Sequence, residues 1–113
     1  MLVVTDENVT TITGAEPGVL ILAEDSCGAC RSYVEDVQGL EQRGRLEGIV
    51  IGKMVLDKPG SGGFKRDNPW LREVEVLPYT AVYERGAKVD EFAASRGSFL
   101  MERLVGVEVV PPD

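Results

Sequence analysis

Apolar residues fall along this chain in two patterns. The first is the short continuous run: Leu2-Val3-Val4, Val19-Leu20-Ile21-Leu22-Ala23, and Ile49-Val50-Ile51-Gly52-Lys53-Met54-Val55-Leu56. The first of these runs is a short strand candidate; the two longer runs, without polar alternation, predict buried strands, continuous as in a parallel sheet. The second pattern has a helical period. Tyr33, Val34, Val37 and Leu40 recur three and four apart, with Arg31, Glu35, Asp36 and Glu41 between them. That spacing predicts an amphipathic helix from Cys30, with Gly44 and Gly48 at its exit.

Turn and cap residues place the other elements. Thr5-Asp6-Glu7-Asn8 suits a helix start, but Thr10, Thr11, Ile12 and Thr13 propagate a helix poorly, so the element should end near Gly14 and Pro17. Lys58-Pro59-Gly60-Ser61-Gly62-Gly63 predicts a flexible loop. After it, Asn68 as N-cap and Pro69 at the first helical position predict a helix that turns Trp70, Leu71 and Val74 inward. Leu77-Pro78 opens a strand over 79–84, and the turn Arg85-Gly86-Ala87-Lys88 returns it as Val89–Ala93, a hairpin. Ser95 is a candidate cap for a last helix carrying Phe99, Leu100, Arg103 and Leu104. Residues 1–106 make one domain, and 107–113, with Pro111-Pro112, a loose C-terminal tail.

Strands joined through helices in the first half imply right-handed parallel crossovers. The late hairpin adds an antiparallel edge. The expected architecture is α/β: a mixed central sheet with helices on both faces.

Charge and composition remove several functions. The net charge is −7, which disfavours nucleic acid and anionic membrane as partners. No apolar run reaches the length of a bilayer span. The first seven residues show neither a basic region nor a long apolar one, so no signal peptide is expected. There is no histidine, which excludes a Ser–His or Cys–His hydrolase within one chain and any histidine-bearing zinc site. The two cysteines are half of a four-cysteine metal site, so neither metal nor other cofactor is expected.

Those two cysteines carry the chemistry. Cys27-Gly28-Ala29-Cys30 lies where the second strand hands over to the amphipathic helix. The spacing lets both sulfurs meet at the first helical turn, as a small disulfide ring or an open dithiol. A thiol there faces free backbone N–H groups and the positive end of the helix dipole, which favour the reactive thiolate. Redox chemistry is the favoured reading; a pair of inert structural thiols is the alternative.

The order of elements, together with Ala23-Glu24-Asp25-Ser26-Cys27-Gly28-Ala29-Cys30-Arg31 and Leu77-Pro78-Tyr79-Thr80, resembles the thioredoxin family across nearly the whole chain. The resemblance implies the thioredoxin fold. It also implies a thiol–disulfide oxidoreductase with Cys27 as nucleophile and Cys30 as resolving thiol. Pro78 would be cis and close to the cysteines, and Leu77, Pro78, Tyr79 and Ala93 would form the substrate groove. Tyr79 either stacks on substrate or closes that groove. Lys53 falls where the family's central strand often has a lysine; it either supports the thiolate or is a solvated charge. Glu24 and Asp25 either shuttle protons to Cys30 or are plain loop charges. The chain departs from the family at Ser26 (usually tryptophan), Ala29 (usually proline), Ile21 (often a buried aspartate) and Tyr79 (often threonine), and its 58–67 loop is longer.

The expectation is therefore a cytoplasmic, monomeric oxidoreductase in cell redox homeostasis. It would reduce disulfide-bearing proteins or small thiols with electrons from a separate reductant. A thioredoxin-fold binding or adaptor module with a regulatory cysteine pair is the alternative.

Overall fold

The computed structural model describes residues 1–111. Its five strands are β1 (Leu2–Val3), β2 (Gly18–Ala23), β3 (Val50–Val55), β4 (Tyr79–Glu84) and β5 (Ala87–Ala93). They form one sheet in the order β1-β3-β2-β4-β5. β1 and β2 lie parallel to β3, whereas β4 runs antiparallel to both β2 and β5. The four helices are α1 (Thr10–Thr13), α2 (Gly28–Gln42), α3 (Gly62–Asp67) and α4 (Gly97–Gly106), with a 3-10 helix at Pro69–Glu73. The expected mixed sheet between helices is thus observed.

β2 explains its own central place. All six of its residues are buried. Side chains alternate across a strand, so Val19 and Ile21 enter one core with Tyr33, Val37 and Leu40 of α2 and Leu100 and Leu104 of α4. Leu20 and Leu22 enter the other, with Ile12 of α1, Phe64 of α3 and the partly buried Trp70 and Leu71. A strand apolar on both sides is stable only between two layers, which is why the run at 19–23 shows no polar alternation.

Several boundaries differ from the sequence expectation. The stretch read as a flexible loop ends in α3, because Asp6, fifty-seven residues away in sequence, accepts the N–H of both Gly63 and Phe64 at 2.8 Å. Asn68 does not cap through its side chain. Its amide donates to the carbonyl of Phe64 and accepts from the Trp70 indole. Ser95 is not the cap of α4; that position is Arg96, and the N–H of Gly97 is taken by the Asp36 carboxylate from α2. A Cβ on Gly97 would lie 2.8 Å from Leu40 and 2.9 Å from Asp36, so a larger residue would push the two helices apart. The hairpin turn is tighter than four residues: Arg85 and Gly86 alone occupy it, with φ of 54° and 82°, the two-residue turn whose twist suits the flanking strands. Val109 and Val110, placed in the loose tail, pack against the α2/α4 core. Pro112 and Asp113 of that tail lie outside the described residues. Glu16–Pro17, unremarked in the sequence, is cis, as is Leu77–Pro78.

Candidate functional site

Cys27 is the N-cap of α2. Its backbone is extended, with φ −89° and ψ 108°, and Cys30 is the third residue of the helix behind it. The extended cap residue marks where the helix begins, and the first amides of α2 are left without helical partners. One of them is used at once: the N–H of Cys30 donates to Cys27 Sγ at 3.1 Å. The two cysteines are bonded to each other, with Cα atoms 5.2 Å apart. Cys30 is 1 % exposed, whereas Cys27 is only half-buried. The arrangement is asymmetric: one sulfur faces outward, the other sits a turn deeper.

The loop before the pair is held from outside it. The N–H of Asp25 donates to Asp57 at 3.0 Å, and Lys58 lies 3.4 Å from the Asp25 carboxylate. Arg31 donates back to the Asp25 carbonyl at 3.1 Å. None of Arg31, Asp57 and Lys58 was singled out from the sequence for this role. The bonds to Asp57 and Lys58 span about thirty residues, so no local pattern announces them; only Arg31, four residues after the first cysteine, was within local reach.

Leu77 brings the second chain to the site. Its carbonyl oxygen lies 3.9 Å from Cys27 Sγ. The cis peptide follows, Pro78 is buried, and its carbonyl accepts the N–H of Ala94 at 3.3 Å. Ala93 is exposed and pairs with Tyr79. Leu77 is therefore placed beside Cys27, with Pro78 next to it in the chain and Ala93 across the sheet from Tyr79. Tyr79 packs against the core with Leu71, Trp70 and Leu77. Its hydroxyl donates to Glu91 at 2.9 Å, and its ring lies 6.4 Å from that of Trp70. Burial and then Glu91 push its phenol up to about 12. Lys88 completes the group: it pairs with Glu91, and its ammonium lies 3.4 Å from the centre of the Trp70 ring, a cation–π contact.

On the α2 side, Cys30 opens onto a cavity of about 270 Å³ that also takes in Glu24, Asp25, Glu35 and Lys53. The residues singled out as supporting the pair thus share one cavity with the deeper cysteine. Ile21, where the family often has a carboxylate, is fully buried between Lys53 on β3 and Thr80 on β4. Beside it the core holds a different polar contact. The Tyr33 hydroxyl and Thr80 Oγ1 are 2.9 Å apart, both residues being fully buried. Burial raises the Tyr33 phenol to about 12, so it is neutral across the physiological range. Among the described residues no group of three or more acidic or cysteine side chains is placed to hold a metal ion, and no helix is long and apolar enough to cross a membrane.

No protein-family model matches the chain, and no curated protein matches it in sequence. Solved structures do. It is similar to thioredoxin from Malassezia sympodialis, with a TM-score of 0.74 at 13 % identity, over 93 % of this chain and 87 % of that one. Thioredoxin from Fasciola hepatica gives 0.72 at 18 %, over 94 % and 98 %. Thioredoxin f from spinach chloroplast gives 0.75 at 16 %, over 95 % and 85 %. At such identities the likeness speaks for the backbone and not for the chemistry, and on that backbone this chain carries its own Cys27–Cys30 pair at the head of α2: it has the thioredoxin fold.

Proposed function

We propose that this chain is a thiol–disulfide oxidoreductase that reduces disulfides of proteins or small molecules in the cytoplasm. The observation that carries the reading is the asymmetry of the cysteine pair: Cys27 half-exposed at the helix cap, with a backbone N–H on its sulfur, and Cys30 buried one turn behind.

The chemistry balances with these two residues and an external dithiol. In the reduced chain the Cys27 thiolate attacks a substrate sulfur. A mixed disulfide forms, and the first substrate thiolate leaves and takes a proton from water. Cys30, having lost its proton, then attacks Cys27 Sγ. The second substrate thiol departs, and Cys27 and Cys30 are left bonded, which is the state the structure shows. A separate dithiol returns the pair to its reduced form.

The N–H of Cys30 stabilises negative charge on Cys27 Sγ in the reduced form. An extended substrate strand reaching Cys27 would find the backbone of half-buried Leu77 alongside, a form of strand addition.

The test is disulfide reduction driven by a dithiol. Cys27→Ser should abolish turnover. Cys30→Ser should abolish it too, but accumulate a covalent adduct between Cys27 and the substrate. Turnover that survives Cys27→Ser would defeat the reading. A wild-type chain that turns over no disulfide would leave the fold as a binding module.

A further inference from the structure

Charge is distributed unevenly over this molecule. Residues 58–72 hold four of its twelve lysines and arginines but one of its nineteen aspartates and glutamates. That segment is therefore +3, while the remainder of the chain is −10. It contains the 58–67 loop, which is longer than in the family the chain resembles. Three of its cations, Lys65, Arg66 and Arg72, rim an open depression of about 430 Å³ floored by Leu56 and Leu71.

The depression lies at the cysteine end of the sheet. The N–H of Leu56 donates to the carbonyl of Ala23 at 2.8 Å, and Ala23 is the last residue of β2, four before Cys27. Leu71 lies six residues before Leu77, whose carbonyl faces the Cys27 sulfur. The cations differ in how far they are neutralised. Arg66 is 3.6 Å from Asp67, and its charge also acts on Asp6. Lys65 spends one N–H on the Leu56 carbonyl, which fixes its ammonium over the depression. Arg72 is exposed and makes no hydrogen bond or ion pair among the described residues.

We propose that this depression docks an acidic segment of the protein whose disulfide Cys27 attacks, a glutamate or aspartate meeting Arg72 and Lys65 while a neighbouring apolar side chain covers Leu56 and Leu71. The proposal rests on the oxidoreductase reading for its purpose, but not for its binding chemistry. Charge complementarity selects the sign of the partner. The scale of the charged patch selects its kind. Two leucines and three cations match side chains projecting from an extended chain.

The binding arm uses short fluorescent peptides without cysteine, one rich in glutamate and leucine, one with lysine in place of glutamate. Anisotropy should show binding of the first alone, weakening as salt rises. Arg72→Glu should weaken it about tenfold, an exposed contact being lost and a repulsion gained. Arg85→Glu, the same charge change in the exposed hairpin turn, should alter it less than about twofold. Equal binding of both peptides, or equal losses from the two substitutions, would overturn the site. So would sedimentation of the chain with phosphatidylserine vesicles in the absence of glutamate-peptide binding.

In the redox arm, disulfide peptides flanked by glutamate should be reduced with kcat/KM about fivefold above lysine-flanked ones. Arg72→Glu should erase that preference and leave a small neutral disulfide unaffected. Loss of all turnover refutes the oxidoreductase reading alone; loss of selective binding in the cysteine-free arm refutes the docking site alone.

Discussion

On one side of the sheet, α2 and α4 lay continuous apolar stripes against β2. Tyr33, Val37 and Leu40 meet Leu100 and Leu104, and the polar atoms admitted to that core pair with each other, as Tyr33 does with Thr80. On the other side the cover is made of pieces: four residues of α1, six of α3 and five of a 3-10 helix. None of these is long enough to be stable alone. They are tied by side chains to backbone, Asp6 to the distant Gly63 and Phe64, Lys65 to Leu56 and Asn68 to Phe64 nearer by. The comparison shows two ways of covering a strand that is apolar on both faces. One relies on area, the other on a few specific bonds. The second leaves polar groups and charge near the cysteine end of the sheet, where the basic depression lies.

The largest test separates the faces by cooperativity. Leu100→Ala, in the area-based face, should cost about 2–5 kcal/mol and lower the melting of the whole chain in one transition. Phe64→Ala should instead appear first as faster hydrogen exchange of 62–73, with α2 amides protected as before. If both substitutions melt the chain as a single unit, the piecewise face is no less cooperative than the helical one.

A smaller effect probes the buried Tyr33–Thr80 contact of the helical face. Tyr33→Phe leaves the Thr80 hydroxyl buried without its partner, at a cost of about 1–3 kcal/mol. The sign of its pH dependence follows from the raised phenol. Tyr33 titrates near 10 when unfolded and at about 12 when folded, so its contribution is complete below pH 10 and lost as pH rises towards 12. Tyr79 and Tyr83, also raised to about 12, titrate in the same window. Alkaline unfolding of Tyr33→Phe should therefore be shallower than that of the parent but not flat. An unchanged slope would mean that Tyr33 is free to ionise in the folded chain.

The smallest effect lies on the piecewise face. The N–H groups of Gly63 and Phe64 hold the Asp6 carboxyl below its ordinary value. A lowered pKa contributes stability above about 3.8 that disappears as pH falls through the folded value. Asp6→Asn should thus speed exchange of the Gly63 and Phe64 amides at neutral pH, and acid should no longer accelerate them further. Retained protection at neutral pH would show that packing of Phe64, not the carboxylate, holds α3.

Legibility in the sequence follows the same division. Strands β2 and β3 and helix α2 were readable because a continuous apolar run or a periodic apolar face fits within one window. The cysteine pair was readable because its spacing is itself local, as was the strand opened by Leu77-Pro78; the cis form of Pro78 came through resemblance. The α3 helix, the Asp36 cap on α4 and the packing of Val109 and Val110 were not. Their partners lie far away in the sequence, and Gly62-Gly63 alone reads as a loop.

At the site, the sequence by itself determined which residues carry sulfur, that the pair heads a helix behind a buried strand, and that no histidine takes part. Only the tertiary structure decided that the Tyr79 hydroxyl meets Glu91, that Lys53 and Cys30 share a cavity, and that three cations of one segment gather over two leucines. Side-chain direction on a strand depends on register, and register is set by strand pairing across the sheet. Electrostatic patches likewise form from residues that packing assembles, so their chemistry is absent from any short stretch of chain.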